Sequence, residues 1–86
     1  MEVKIETTLS ATEYISIPYP DGFNYNNCYI AGGMTENKNA SNYKYPLDNT
    51  GVVSDITIHK NNGLMVKGTE NSAGCMCTII LRKYSY

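Results

Sequence analysis

Aromatic residues other than tyrosine are scarce: the sequence has no tryptophan, one phenylalanine and one histidine in 86 residues. Neither sign of charge is in excess, because seven basic and eight acidic side chains leave a net charge of −1. A chain without a basic stripe lacks the electrostatic footprint of a nucleic-acid-binding protein. The longest apolar run, Ile79 to Leu81, is far too short to span a bilayer. We therefore expect no nucleic-acid partner and no membrane insertion.

Signals for secretion and residues for a large core are also missing. The start, Met1 to Lys4, has no apolar signal-peptide core, so a classical secretion route is not expected. A single domain of this length hides only about 60–65% of the surface that its unfolded chain exposes. Such small domains often gain stability from disulfides, metals or subunit packing.

Residues that could carry catalysis or bind a metal show no supporting pattern. The thiols Cys28, Cys75 and Cys77 lack the paired spacing of a zinc site and are expected to be buried as small apolar groups. In a regular strand Cys75 and Cys77 would be about 6.8 Å apart, at or beyond the limit for a disulfide. His59 has no nucleophile tied to it by a motif, and the carboxylates are scattered. We predict no enzyme activity, no cofactor and no metal.

Tyrosine and asparagine are abundant, with eight and ten copies. Asparagine favours turns, whereas tyrosine favours strands and surfaces that are half apolar and half wet. The two together indicate short strands joined by polar loops. An AT-rich coding sequence would raise the same residues and is an equally good explanation of the skew.

Hydrophobic residues follow a period of two rather than 3.6, in short runs bounded by Gly, Pro and Asn. The runs lie at residues 3–5, 14–17, 28–33, 52–60, 64–67 and 75–84. We predict a single all-β domain over residues 1–86. Its expected fold is a small antiparallel β-sandwich, or a related sheet, of five to six short strands.

The hairpin between the fourth and fifth runs has a register that can be derived from side-chain faces. A three-residue loop at 61–63 would pair Ile58 with Val66 and Thr57 with Lys67, which keeps apolar side chains on one face. A two-residue loop would instead pair Ile58 with Lys67. The sequence therefore predicts the three-residue loop, with Gly63 in its last, left-handed position.

Two further features make predictions about packing. Ile79, Ile80 and Leu81 are apolar in succession, which is typical of a central strand or of one packed against another subunit. Gly32 and Gly33 end the third run, which favours a β-bulge or a close approach by another backbone.

Residues 35–51 contain few apolar groups and are predicted to form one long loop. Tyr43 and Tyr45 lie within it, and planar rings beside amide and carboxylate groups suit both sugars and protein surfaces. We predict a ligand-binding site here, with Tyr43 and Tyr45 stacking and Asn42 and Asp48 forming hydrogen bonds. The alternative is that the two rings cover a small core from outside.

Two segments resemble a known family. Residues 19–28 read Tyr-Pro-Asp-Gly-Phe-Asn-Tyr-Asn-Asn-Cys, and residues 78–84 read Thr-Ile-Ile-Leu-Arg-Lys-Tyr. Both resemble segments near the C-terminal ends of tail-fibre-like and baseplate proteins from phages and prophages of Gram-positive bacteria. The similarity covers roughly residues 14–84. Such segments normally close longer chains, whereas this sequence starts with Met1, so a separate small protein, a trimmed piece and a prophage remnant all stay open.

The resemblance implies a homotrimeric β-structured tip or receptor-binding domain on a virion tail. Such a domain would contact a host surface glycan or a neighbouring tail protein. A prophage remnant would instead lie in the bacterial cytoplasm. The alternative function is a non-catalytic structural accessory or assembly subunit without a small ligand, for which a long loop packed against its own domain is expected.

Overall fold

A computed structural model describes residues 1–85, apart from the side chain of Ser41. It confirms an all-β fold in which every described element is a strand. No helix in this range is long and apolar enough to span a bilayer. The seven strands are β1 (Glu2–Thr8), β2 (Ile15–Ile17), β3 (Cys28–Asn37), β4 (Ala40–Pro46), β5 (Val53–His59), β6 (Gly63–Gly68) and β7 (Met76–Lys83). They outnumber the expected five or six because β4 occupies part of the predicted loop.

The strands form two antiparallel sheets around one hydrophobic core. The larger sheet has the order β1-β7-β3-β4, and the smaller has the order β2-β6-β5. Alternate side chains of each strand point into the core, as the pleat requires. The buried apolar residues are Leu9, Phe23, Cys28, Leu47, Val52, Val53, Leu64, Val66, Cys77, Ile79 and Leu81.

The closing strand β7 is a central strand, as predicted. It lies between β1 and β3 and pairs with both. Cys77, Ile79 and Leu81 face the core and are fully buried, whereas Ile80 on the other face is half-buried. The core thus covers two of the three residues of the apolar run, and Ile80 is only partly covered on the outer face of the sheet.

Both features predicted for Gly32 and Gly33, a β-bulge and a close approach by another backbone, are confirmed. The register of β3 against β7 shifts between Ile30 and Gly32, which marks a bulge. At Gly33 a Cβ atom would collide with the carbonyl oxygen of Thr78 and crowd the side chain of Leu47. Only glycine lets β3 approach β7 this closely.

The predicted register of the β5–β6 hairpin is wrong by two residues. Ile58 lies opposite Leu64 and Thr57 opposite Met65, so the three residues between the last paired positions are 60–62. Gly63 is the first residue of β6, with φ of +79°. A Cβ there would collide with the carbonyl oxygen of Ile17, so only glycine fits at this position beside β2. A shift of two leaves every side chain on its face, which is why face matching did not exclude it.

Candidate recognition surface

The segment predicted to be one long loop is mostly a β-hairpin. Residues 35–37 end β3, and β4 then returns beside it, with Glu36 opposite Lys44 and Thr35 opposite Tyr45. A true turn follows only after Pro46, where Asn49 N–H donates to the Pro46 carbonyl at 3.0 Å. The loop prediction is corrected because tyrosine favours strands, and Tyr43 and Tyr45 alternate with polar residues at the period of a strand.

The four predicted binding residues lie on three different parts of this hairpin. Tyr43 is the most accessible aromatic side chain among the described residues, with 65% of its surface exposed. Tyr45 shares its face but is half-buried and packs against the core. Asn42 is exposed on the opposite face of β4, and Asp48 is exposed in the turn that follows. Because successive side chains of a strand point to opposite faces, Asn42 lies on the other side of β4 from the two tyrosine rings.

The tip of the hairpin is attached to a loop from another part of the chain. Lys38 N–H donates to the Asn71 carbonyl at 2.9 Å, and Asn39 Nδ2 donates to Asn71 Oδ1 at 3.0 Å. Asn39 N–H also bonds Asn37 Oδ1 at 2.8 Å, which tightens the turn. Backbone and side-chain bonds together therefore hold the tip in one position.

The loop that receives the tip, residues 69–74, is itself anchored by a buried hydroxyl. Ser72 is fully buried, and its Oγ donates to the Val52 carbonyl at 2.5 Å. The same Oγ accepts the Thr69 N–H at 3.0 Å. Thr69 Oγ1 donates to the Gly51 carbonyl at 2.6 Å, which adds a second link to the segment before β5. Sequence reasoning missed Asn71 and Ser72, although the Thr-Glu-Asn-Ser run at 69–72 is typical of a side-chain-capped turn.

A second polar cluster lies on the outer face of the smaller sheet. Tyr14, just before β2, donates from its hydroxyl to Asp55 Oδ2 at 2.6 Å. Lys67 lies between them on β6, directly opposite Asp55, and its Nζ is 5.6 Å from the centre of the Tyr14 ring. The hydrogen bond to Asp55 is the main cause that raises the pKa of Tyr14. The three groups therefore lie together on the outer face of the smaller sheet.

Potential catalytic and metal-binding groups are dispersed across the described part of the chain. All three cysteines are free thiols, and burial raises the pKa of Cys77 to about 11. His59 is exposed, and its Nδ1 accepts the Asn61 N–H at 3.2 Å. Among residues 1–85 no three metal-ligating side chains converge, and no enclosed cavity is present.

The resemblance to tail proteins gains no support from comparison with known proteins. A scan against protein-family models and searches of curated proteins and of solved structures found no match to this chain.

Proposed function

We propose that this chain is a non-catalytic binding domain of a phage-type tail tip, which contacts a glycan on the host surface through Tyr43. The observation that carries the proposal is the exposure of this one ring on a hairpin that is fixed in place. The link to a phage-type tail, and to a virion as its location, depends on the resemblance of residues 19–28 and 78–84.

The geometry around Tyr43 suits a shallow sugar site. A tyrosine ring offers a large apolar face with few torsions to restrict, so little entropy is lost on contact. The bonds from Asn71 to Lys38 and Asn39 hold the hairpin tip beside it. Preorganisation of this kind lowers the cost of binding. Asp48, exposed in the turn after β4, is the polar group proposed to form hydrogen bonds with the ligand, since Asn42 lies on the other face of the strand.

Tyr45 takes a supporting role in this proposal. It packs against the core and lies opposite the buried Thr35. Its removal would leave a void under β4 and destabilise the hairpin, by about 2–4 kcal/mol for a half-buried aromatic residue. The informative substitution is therefore Tyr43→Ala alone.

The test is binding of the purified chain to a glycan array and to cell walls isolated from Gram-positive bacteria. Tyr43→Ala should lose binding at least tenfold and leave the free energy of unfolding within about 0.5 kcal/mol of the parent. Tyr25→Ala is the matched control, because Tyr25 is 47% exposed in the turn before β3, away from the hairpin. Equal binding by the parent and Tyr43→Ala, or equal loss with Tyr25→Ala, would contradict the proposal.

A second candidate function is a structural accessory subunit of the same kind of assembly, without a small ligand. The attachment of the hairpin tip to Asn71 favours it, because such a subunit needs this segment packed against its own domain. This candidate predicts no signal on the glycan array with the folded parent chain. It also predicts that Tyr43→Ala leaves incorporation into tail particles unchanged.

A further inference from the structure

Strand β1 has one regular and unpaired edge. Within residues 1–85 it pairs only with β7, and that pairing runs from Glu2 to Thr8 without a register shift. The strand contains neither proline nor glycine. A straight edge of this kind presents a row of backbone donors and acceptors to which another strand can add.

The other three sheet edges are interrupted. Strand β2 has three residues and is followed by Pro18. Strand β4 ends at Pro46, and its pairing with β3 shifts register near Asn37. The pairing of β5 with β6 shifts between Val53 and Asp55. Proline, bulges, short length and charged side chains are the usual devices that protect edges. Strand β1 has only the charged side chains, Glu2, Lys4 and Glu6, which a second strand could pair with opposite charges.

The backbone groups that face the free edge of β1 follow from the pairing on its other side. Lys83 N–H donates to the Met1 carbonyl at 2.9 Å, and Leu9 N–H donates to the Cys75 carbonyl at 3.1 Å. Odd-numbered residues of β1 therefore bond to β7, since bonding alternates along an antiparallel strand. Even-numbered residues direct their N–H and C=O groups to the free edge, and these are Glu2, Lys4, Glu6 and Thr8.

We propose that β1 is a docking edge for a second copy of this chain, with the two β1 strands antiparallel about a two-fold axis at Ile5. This register places Lys4 opposite Glu6 of the second copy, and Glu6 opposite its Lys4. Every hydrogen-bonded pair in it joins two even-numbered residues, so the free donors and acceptors meet along the whole strand. The two four-stranded sheets become one sheet of eight strands.

The charges of β1 select this register over its neighbours. An axis at Lys4 would place Lys4 opposite Lys4 and Glu2 opposite Glu6. An axis at Glu6 would place Glu6 opposite Glu6. Like charges directly opposite each other destabilise a strand pair, whereas opposite charges stabilise it. Glu2 contributes less to this choice, because its carboxylate already forms an ion pair within the chain. Its Oε1 lies 2.8 Å from Arg82 Nη2 on β7.

The inner face of β1 also favours a second copy. Val3 and Ile5 pack at the margin of the core but stay half-buried. Pairing about Ile5 places the two Ile5 side chains opposite each other and removes more of this apolar surface from water. An association with a two-fold axis uses the same patch on both copies, and it replaces the homotrimer that the resemblance implies.

The test starts with the mass of the full chain in solution, measured by sedimentation equilibrium over a wide concentration range. The parent should form a dimer. Lys4→Glu and Glu6→Lys should each weaken it by roughly 10- to 100-fold, because each turns two opposite-charge pairs into like-charge pairs. Both side chains are exposed, so circular dichroism should show that each variant keeps its fold.

A mixture of the two variants separates pairing between chains from effects within one chain. Lys4 and Glu6 lie 3.4 Å apart within the same strand, so either substitution also breaks an internal ion pair. In a mixed pair, however, the two acidic positions of one variant face the two basic positions of the other. The mixture should therefore form a heterodimer close to the parent in affinity, and the amides of residues 4 and 6 should become protected from hydrogen exchange.

Four results would overturn the proposal. They are a parent chain that stays monomeric at the highest soluble concentration, a trimer, a dimer that neither variant weakens, and a mixture no more associated than its two components. Proline at position 8 gives an independent check, because Thr8 N–H faces the free edge. Thr8→Pro should weaken the dimer without disrupting the ladder to β7, and an unchanged dimer would again overturn the assignment.

Discussion

Tyr14 and Asp55 are joined across the width of the smaller sheet by a 2.6 Å hydrogen bond. They lie at its two edges, with Lys67 of the central strand between them. A hydroxyl that donates to a carboxylate holds its proton more tightly than one in water. The bond therefore links the outer face of β2 to that of β5 and depends on the protonation of Tyr14.

The first prediction concerns the titration of Tyr14. Its pKa is raised in the folded chain by the bond to Asp55, so the unfolded chain loses this proton at a lower pH. Stability from this bond is present below about pH 10 and decreases as pH rises above that value. Asp55→Asn should return the pKa of Tyr14 toward the ordinary tyrosine range, as observed by NMR titration of the ring. An unchanged titration in Asp55→Asn would show that the bond is absent in solution.

A second prediction concerns the Cys77 thiol. It is fully buried in the core, and burial raises its pKa to about 11 from 9.0. Above pH 9 the unfolded chain ionises while the folded chain keeps its proton, so stability falls as pH rises toward 11, by roughly 1 kcal/mol for each pH unit. Urea unfolding at pH 8, 9 and 10 should show this decrease.

Cys77→Ala is the control for that measurement. It removes the ionising group, so the part of the decrease between pH 9 and 10 that belongs to Cys77 should disappear, although the variant is less stable at every pH. Equal slopes in the parent and in Cys77→Ala would show that the thiol ionises in the folded state as readily as in the unfolded state.

The features of the fold that sequence predicted correctly are those set by a single local cause. Three apolar residues in succession favour a central strand, and Ile79, Ile80 and Leu81 lie in one. Gly33 has no side chain, and the backbone of Thr78 occupies the space that a Cβ atom would need. The hairpin register, in contrast, places Gly63 against Ile17, which is far away in sequence and which no local pattern in the hairpin indicates. Alternation determines the face of a residue but fixes its partner only to within two positions.

The candidate site was predicted less well, for a related reason. The sequence groups Tyr43 with Tyr45 because both are tyrosines in a polar segment, yet Tyr43 is exposed and Tyr45 packs on the core. Their environments differ because β4 extends past the buried part of β3, where Thr35 faces Tyr45. Asn71, which accepts hydrogen bonds from Lys38 and Asn39 at the hairpin tip, lies more than 30 residues away along the chain. No local sequence pattern indicates that these two turns contact each other.

The last prediction concerns Ser72, which anchors the loop that holds the hairpin tip. Its Oγ donates to the Val52 carbonyl and accepts the Thr69 N–H, and the side chain is fully buried. Ser72→Ala would leave the buried Val52 carbonyl and the partly buried Thr69 N–H without this partner. We expect it to lower the free energy of unfolding by about 1–3 kcal/mol, the cost of unsatisfied buried polar groups. Urea unfolding monitored by tyrosine fluorescence provides the measurement.

Ser16→Ala is the matched control, because Ser16 also donates to a carbonyl, that of Asn62 at 2.8 Å, but is exposed. Water can replace its bond, so its cost should stay within about 0.5 kcal/mol. In Ser72→Ala the Lys38 amide, which bonds the Asn71 carbonyl, should also exchange faster with solvent, since loop 69–74 holds the hairpin tip. If both variants cost the same and the Lys38 amide keeps its protection, Ser72 does not anchor the hairpin. Loop 69–74 would then be held by its other bonds, such as the one from Thr69 Oγ1 to the Gly51 carbonyl.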